Sequence, residues 1–453
     1  MRDSSIIRLI CLAFWLFASM GQSAMAEQPN FPAIAKPAKV TTGAEALVAS
    51  GFAALAGKRV GLITNHTGRV GAERLIDVLA RAGTSPGASV AHVVPEARLR
   101  HDATAPSVKL TAILTPEHGL GGTIEAGAKV RSTRDAATGL PVYSLYGATS
   151  KPTPEMLAGL DVLVFDMQDI GVRYYTYIST MGLAMQAAAA ANLKFVVLDR
   201  PNPLGGEYVA GFKREPGLAS FVGLFPIPQV HGMTAGELAR MIKGDGHLRG
   251  LANLDLEVVP LTGWQRGMLW PDTGLDWVPT SPNIPTFETA LVYAGTGLFE
   301  QTAASEGRGT ASPFLLIGHP AIDAAEAARG LNAKRLPGVR FEAARFMPKP
   351  IASVATNPRF AGVEIAGLRV VVTDQRTLRP VEIAVHMLAA IDAQVRAGGS
   401  IGVVENPDEF AKIAGSRRLL DLLDQGTPAA KIIAAWGAEV AEFKKKRARY
   451  LLY

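Results

Sequence analysis

Glu117 stands between Pro116 and His118, and Gly119, Gly121 and Gly122 follow within five residues. A carboxyl beside an imidazole, set among residues that turn the chain sharply, is suited to moving a proton on and off a substrate. Three other runs concentrate similar groups: Asn65-His66-Thr67-Gly68, then Asp166-Met167-Gln168-Asp169 with Arg173-Tyr174-Tyr175, then Asp199-Arg200-Pro201-Asn202-Pro203. His231 adds a third imidazole. Farther on, Trp277-Val278-Pro279-Thr280-Ser281-Pro282-Asn283-Ile284-Pro285 reads as a rigid, aromatic-led loop. Behind it, Gly297-Leu298-Phe299-Glu300 and Ser305-Glu306-Gly307-Arg308-Gly309-Thr310 contribute two carboxylates and a guanidinium.

Each group also has a plainer use. Asp199, Pro201 and Asn202 favour turns, and Arg200 can simply close an ion pair. His66 can be a loop histidine with both ring nitrogens satisfied, and 305–310 can be an exposed linker. The basic run 444–449 suits a helix end facing water. Asn65-x-Thr67 matches a glycosylation acceptor by chance. Glu117 is the hardest to dismiss, having little structural reason to sit where it does.

Several chemistries are missing. Gly119-Leu120-Gly121-Gly122 lacks the G-x-G-x-x-G spacing of a dinucleotide site, and there is no Walker lysine motif and no G-x-S-x-G elbow. His66, His118 and His231 with Asp166 or Asp169 are the right residue types for a metal, but no H-E-x-x-H or similar spacing joins them. The sequence therefore predicts no metal and no cofactor.

The elements that must position these groups are legible. Arg59–Thr64 (RVGLIT), 109–114 (KLTAIL), 161–165 (DVLVF) and Lys194–Leu198 (KFVVL) are near-continuous apolar runs, as in strands buried on both faces of a parallel sheet. Helical patterns at 73–82 and at 177–192, the latter closed by Asn192, alternate with them. This order predicts a Rossmann-like, doubly wound, mostly parallel α/β sheet. In such sheets ligands bind beyond the carboxyl ends of the strands, which is where the four polar runs fall. From about 302 the pattern changes to a strand at 367–374, a helix at 380–395 opened by proline, and a long final helix at 428–449. We expect a catalytic domain over 41–301 and a smaller α+β domain over 302–453 that completes the cleft. The polar stretch 84–107 reads as a surface insertion.

Composition sets the class. The 453 residues are 48% hydrophobic and 19% charged, with Gly 46 and Pro 29, which is globular rather than disordered. Arg2 and Arg8, a short apolar run from Leu9 to Phe17, and Ala24-Met25-Ala26 form a secretory signal over 1–26. That run is shorter than the roughly 20 residues a membrane-spanning helix needs. Residues 27–40 follow as a proline-punctuated tether. The expected setting is outside the cytoplasm, periplasmic in a Gram-negative source. Cys11, the only cysteine, lies in the signal, so the mature chain has no thiol chemistry. Cleavage removes two cations and one anion, taking the formal charge from +6 to +5. A pI near 9.3 favours an anionic partner such as cell-wall polymer, while the scattered charges and export argue against nucleic acid.

Taken together in order, the runs around Asn65, Glu117, 166–177, Asp199, Ser281 and Ser305 resemble the exo-β-N-acetylmuramidase family (glycoside hydrolase family 171), long catalogued as a domain of unknown function. The resemblance extends from about Ala44 to the C-terminus. It implies a Rossmann-like catalytic domain with a smaller C-terminal domain, an active site between them, and release of N-acetylmuramic acid from non-reducing ends of peptidoglycan fragments. It also implies that the catalytic glutamate is Glu117. Two features depart from the family pattern: the length of 84–107, and Phe360 where relatives often carry cysteine.

Glycoside cleavage needs a protonated carboxyl at the leaving oxygen and stabilisation of an oxocarbenium-like centre. Glu117 is the acid on this reading, tuned by His118. Asp169, Asp166, Glu300 and Glu306 are candidates for the second group, with the substrate's own acetamido group as a further route. Muramic acid carries a lactyl carboxylate, which calls for a guanidinium fork. Arg173 is favoured because Tyr174 and Tyr175 stand beside it, with Arg200 and Arg308 as the other candidates. Asn65, His66, Gln168, Asn202, His231 and Asn283 would hold hydroxyl or acetamido groups. Two other classes fit the same residues: a metal-dependent hydrolase of wall esters or amides using His66, His118, His231 and Asp169, and a non-catalytic wall-binding protein.

Overall fold

In the computed structural model, residues 39–84 and 107–453 are described. The segment read as a signal, nearly all of the tether and the interior of the 84–107 insertion lie outside the described residues.

The apolar runs form the strands expected of them. In chain order β1 (Arg59–Thr64), β2 (Lys109–Thr115), β3 (Thr133–Arg134), β4 (Pro141–Ser144), β5 (Val162–Asp166), β6 (Lys194–Leu198) and β7 (Leu256–Val259) make one sheet. Its order across the sheet is β3-β4-β2-β1-β5-β6-β7, and every pairing except β3 with β4 is parallel. Without the antiparallel edge strand β3, this is the Rossmann order 3-2-1-4-5-6, whose reversal lies between β1 and β5. All five residues of β5 are buried, so the sheet is covered on both faces. The helix Tyr177–Ala190 covers one face and is buried for most of its length, and Asn192 closes it with φ of 53°. Alanine makes this possible: small side chains let the helix lie close to the strands.

The C-terminal part carries a three-stranded antiparallel sheet, Leu316–Gly318, Val339–Phe346 and Ile365–Val372, with the last strand in the middle. The helix Pro380–Ala397 runs two residues beyond the expected 380–395. Two expectations need correcting. The helix foreseen from residue 73 begins at Leu75, because Glu73–Arg74 pairs with Arg69–Val70 across a turn at Gly71. The long final helix is broken into Ala429–Ala434, Gly437–Arg447 and a short 3₁₀ turn, Ala448–Tyr450. The break is at Trp436, which is buried edge-on against Phe212 with ring centroids 5.5 Å apart. Among the described residues no helix is long and apolar enough to cross a membrane.

Candidate active site

Glu117 lies two residues past the end of β2, on a turn that the sequence makes tight. His118 has φ of 69° and Gly119 of 73°, and Gly122 closes the turn at 67°. A side chain on Gly122 would overlap the His66 ring, its Cβ coming within 1.8 Å of Cε1. The glycine therefore lets the loop after β1 and the loop after β2 meet. Glu117 is almost fully buried, and each carboxyl oxygen has a donor: Gly127 N–H to Oε1 at 2.8 Å and Thr176 Oγ1 to Oε2 at 2.7 Å. Thr176 is the N-cap of the helix Tyr177–Ala190, so the carboxyl is held at the positive end of that helix. Tyr146 stands beside Glu117. Burial first, then the neighbouring carboxylate, push that phenol above its ordinary pKa.

This carboxyl opens into a small hollow of about 100 Å³. His118, Glu300 and Arg308 line it with Glu117, and Tyr174, Tyr175, Tyr293 and Phe314 supply aromatic walls. The tyrosines are fixed by their hydroxyls. Tyr174 donates to the Tyr293 carbonyl at 2.8 Å, and Tyr175 donates to Thr280 Oγ1 at 2.8 Å. The Nδ1 of His118 lies 2.8 Å from the Ile124 carbonyl, which can only accept. The proton is therefore on Nδ1 and Nε2 is a lone pair in the neutral ring. Burial lowers the His118 pKa, against the pull of Glu117, and so favours that neutral form.

Arg308 joins the two carboxylates read at the end of the site. Its Nε lies 3.0 Å from Glu306, its Nη2 bonds Glu300, and its guanidinium stacks 5.2 Å from the Phe314 ring centre. Burial works against its charge, but Glu300 and Glu306 outweigh burial and hold the guanidinium firmly protonated. Burial likewise raises the Glu306 carboxyl, with Arg308 opposing.

Other residues singled out from sequence are placed elsewhere. Arg173 is the clearest case. It is completely buried, and it donates to the carbonyls of Phe212, Ile227 and Ile413 at 2.8–2.9 Å, so it does not face the hollow. Asp166 and Arg200 form a buried ion pair at 2.6 Å; burial pushes the Asp166 carboxyl up and Arg200 opposes it. Asn65 accepts from Thr67 N–H and Oγ1 and donates to the Tyr177 hydroxyl. Asn202 bridges Leu204 N–H and the Met233 carbonyl. Gln168 donates to the carbonyls of Asp169 and Pro201, and Asn283 to that of Val354. His66 meets the Pro279 carbonyl at 2.5 Å through Nε2. His231 is sealed in the core, where burial lowers its pKa to about 3. Asp169 accepts from Gly171 N–H at 2.6 Å, and its other oxygen has no partner among the described residues. Among the described residues no three His, Cys, Asp or Glu side chains are grouped to hold a metal ion.

Five groups at the site were not singled out from sequence, among them the Phe314 ring. Thr176 sat unremarked inside a quoted run. Tyr146 follows β4, and reading the end of that strand would have found it, but four residues beginning with proline do not stand out. Tyr293 lies inside a buried helix, Phe287–Thr296, and looks like ordinary core. Gly127 contributes only its backbone N–H, which no sequence pattern reveals.

Two family models match the chain. "Exo-beta-N-acetylmuramidase NamZ, N-terminal" covers residues 60–288, and "Exo-beta-N-acetylmuramidase NamZ, C-terminal" covers 291–453. The chain belongs to the exo-β-N-acetylmuramidase NamZ family. It is 41% identical over 425 residues to the peptidoglycan β-N-acetylmuramidase NamZ of Bacillus subtilis (strain 168), covering 92% of each. Two crystal structures of DUF1343 family proteins from Bacteroides fragilis NCTC 9343 share the fold. One has a TM-score of 0.78 at 37% identity, covering 92% of this chain and 99% of the other. The second has a TM-score of 0.70 at 31% identity, covering 91% and 99%.

Proposed function

We propose that this protein is an exo-acting glycoside hydrolase that releases N-acetylmuramic acid from the non-reducing ends of peptidoglycan fragments, with Glu117 as the general acid. The observation that carries the reading is the Glu117 carboxyl itself, held from two sides and opening into a tyrosine-walled hollow that also contains Arg308. The relationship to a peptidoglycan β-N-acetylmuramidase over nearly the whole chain supports the substrate class.

On this reading Glu117 protonates the glycosidic oxygen as the bond to the anomeric carbon breaks, and positive charge builds on the sugar ring. Glu300 is the second carboxylate on the hollow's wall and the residue best placed to face that charge. Arg308 meets its two glutamates through Nε and Nη2, leaving Nη1 for the lactyl carboxylate of muramic acid. His118 offers the lone pair of Nε2 to a substrate hydroxyl or to the attacking water. The buried tyrosine rings exclude bulk water, which strengthens each of these interactions.

The test is a pair of chromogenic substrates, the N-acetylmuramide and its N-acetylglucosaminide analogue. Cleavage of the muramide alone is expected; cleavage of neither, or chiefly of the glucosaminide, would overturn the assignment. We further propose export, supported by the arginine-flanked apolar run and Ala24-Met25-Ala26. In a Gram-negative source the destination is the periplasm. A mature N-terminus other than Glu27, read by peptide sequencing, would contradict this cleavage.

A further inference from the structure

Glu300 and Arg308 also line a second space, a groove of about 480 Å³, together with Glu306, Asn357, Arg359 and Phe360. The hollow and the groove are thus neighbours, with Glu300 and Arg308 bordering both. Phe360 is half-buried and has φ of 60°, a left-handed backbone that a bulky side chain seldom adopts. Such conformations persist only where the surroundings impose them, and they concentrate at functional sites. Here the surroundings are explicit. Val363 N–H donates to the Phe360 carbonyl at 3.0 Å, and the ring meets His319 edge-on at 5.8 Å. Lys349 N–H donates to the Gly309 carbonyl at 2.9 Å, tying this segment to the one that carries Glu306 and Arg308. Gly309 permits the contact, since a side chain there would come within 2.5 Å of the Lys349 carbonyl.

An aromatic ring fixed at the side of a polar groove matches one ligand chemistry well. A pyranose presents a face of C–H bonds that packs on an aromatic ring, and a rim of hydroxyls that amides, carboxylates and guanidinium groups can bind. Asn357, Glu306 and Arg359 supply those three group types around Phe360. We infer that this groove is the subsite for the sugar on the leaving-group side of the scissile bond, with its ring stacked on Phe360. The inference rests on the glycosidase reading above and adds to it the position and chemistry of the leaving group.

The test compares wild type and Phe360→Ala on two substrates. One is the disaccharide of N-acetylmuramic acid linked to N-acetylglucosamine. The other is β-N-acetylmuramyl fluoride, whose leaving group is too small to reach the groove. For the disaccharide, kcat/KM is expected to fall about 10-fold, mainly through KM, with Phe360→Trp restoring it. Turnover of the fluoride is expected to be unchanged, which also reports that the variant is folded. An equal fall on both substrates, or no change on either, would overturn the assignment. So would a loss confined to disaccharides bearing a peptide, which would give the groove to the peptide instead. Wild type inert on both would defeat the glycosidase reading, and this one with it.

Discussion

Glu125 and Thr356 are 231 positions apart and share two hydrogen bonds: Thr356 N–H donates to Oε1 at 2.8 Å, and its hydroxyl donates to Oε2 at 2.5 Å. Glu125 lies two residues before Gly127, whose N–H holds Glu117. The C-terminal part thereby fixes the loop that holds Glu117, the proposed acid. Glu125→Ala is expected to lower kcat about 10-fold with KM nearly constant, because a small misplacement of the acid slows the chemical step more than binding. Glu125→Gln should keep most of the activity. A rise in KM with kcat intact, measured by steady-state kinetics, would count against the clamp.

Removing the proposed acid itself should be far more damaging. Glu117→Gln is expected to reduce kcat by about 10²–10⁴-fold, the usual worth of a positioned proton donor, while product still binds. Thr176→Val, which takes away only the donor to Oε2, should cost about 10-fold. Retention of wild-type turnover by Glu117→Gln would move the acid to another residue.

The two guanidinium groups should separate cleanly. Arg308→Lys is expected to lower kcat/KM for the muramide by about 10-fold to 100-fold, since an ammonium cannot reproduce the fork. Arg173→Lys should instead lower Tm, leaving buried carbonyls short of donors, with KM unaffected. If Arg173→Lys raised KM without destabilising the fold, the sequence-based preference for Arg173 as the substrate fork would return.

Asp169 gives a pH signature. Burial holds its carboxyl up at about 7, against the backbone donors of Gly171 and Ile170. In the unfolded chain the same group titrates near 3.9. The folded form therefore keeps a proton that the unfolded form loses, and the stability from this group is whole below about pH 4 and drains as pH rises through about 7. Asp169→Asn, which never ionises, escapes that loss. Its Tm relative to wild type should be more favourable at pH 8 than at pH 4.5, and a difference that stays flat would show that the carboxyl is not buried in this way.

Strand runs were readable because a strand buried on both faces is apolar along most of its length, as in Val162 to Phe165, and the strand-end rule then pointed to Glu117. Glu300 and Arg308 were found through the composition of their loops. Arg173 misled because a guanidinium beside two tyrosines looks like a sugar clamp. Only the folded chain shows that Phe212, Ile227 and Ile413 bring three carbonyls to it. The break at Trp436 was hidden for a related reason: periodicity reports one helix's own preference, while burial of that ring against Phe212 comes from a distant segment.

Two long-range arginine contacts have an evolutionary corollary. Arg173 reaches from the first family segment to the Ile413 carbonyl in the second. Arg447 reaches the other way, to the carbonyls of Gly206, His231 and Gly232. A hybrid that grafted a foreign C-terminal half onto this first half would cost Arg173 one of its three acceptors and leave the His231 carbonyl without its donor, while Gly206 and Gly232 keep Arg266. Exchanging one segment between relatives is therefore expected to lower Tm unless the arginine and its acceptor are matched across the junction.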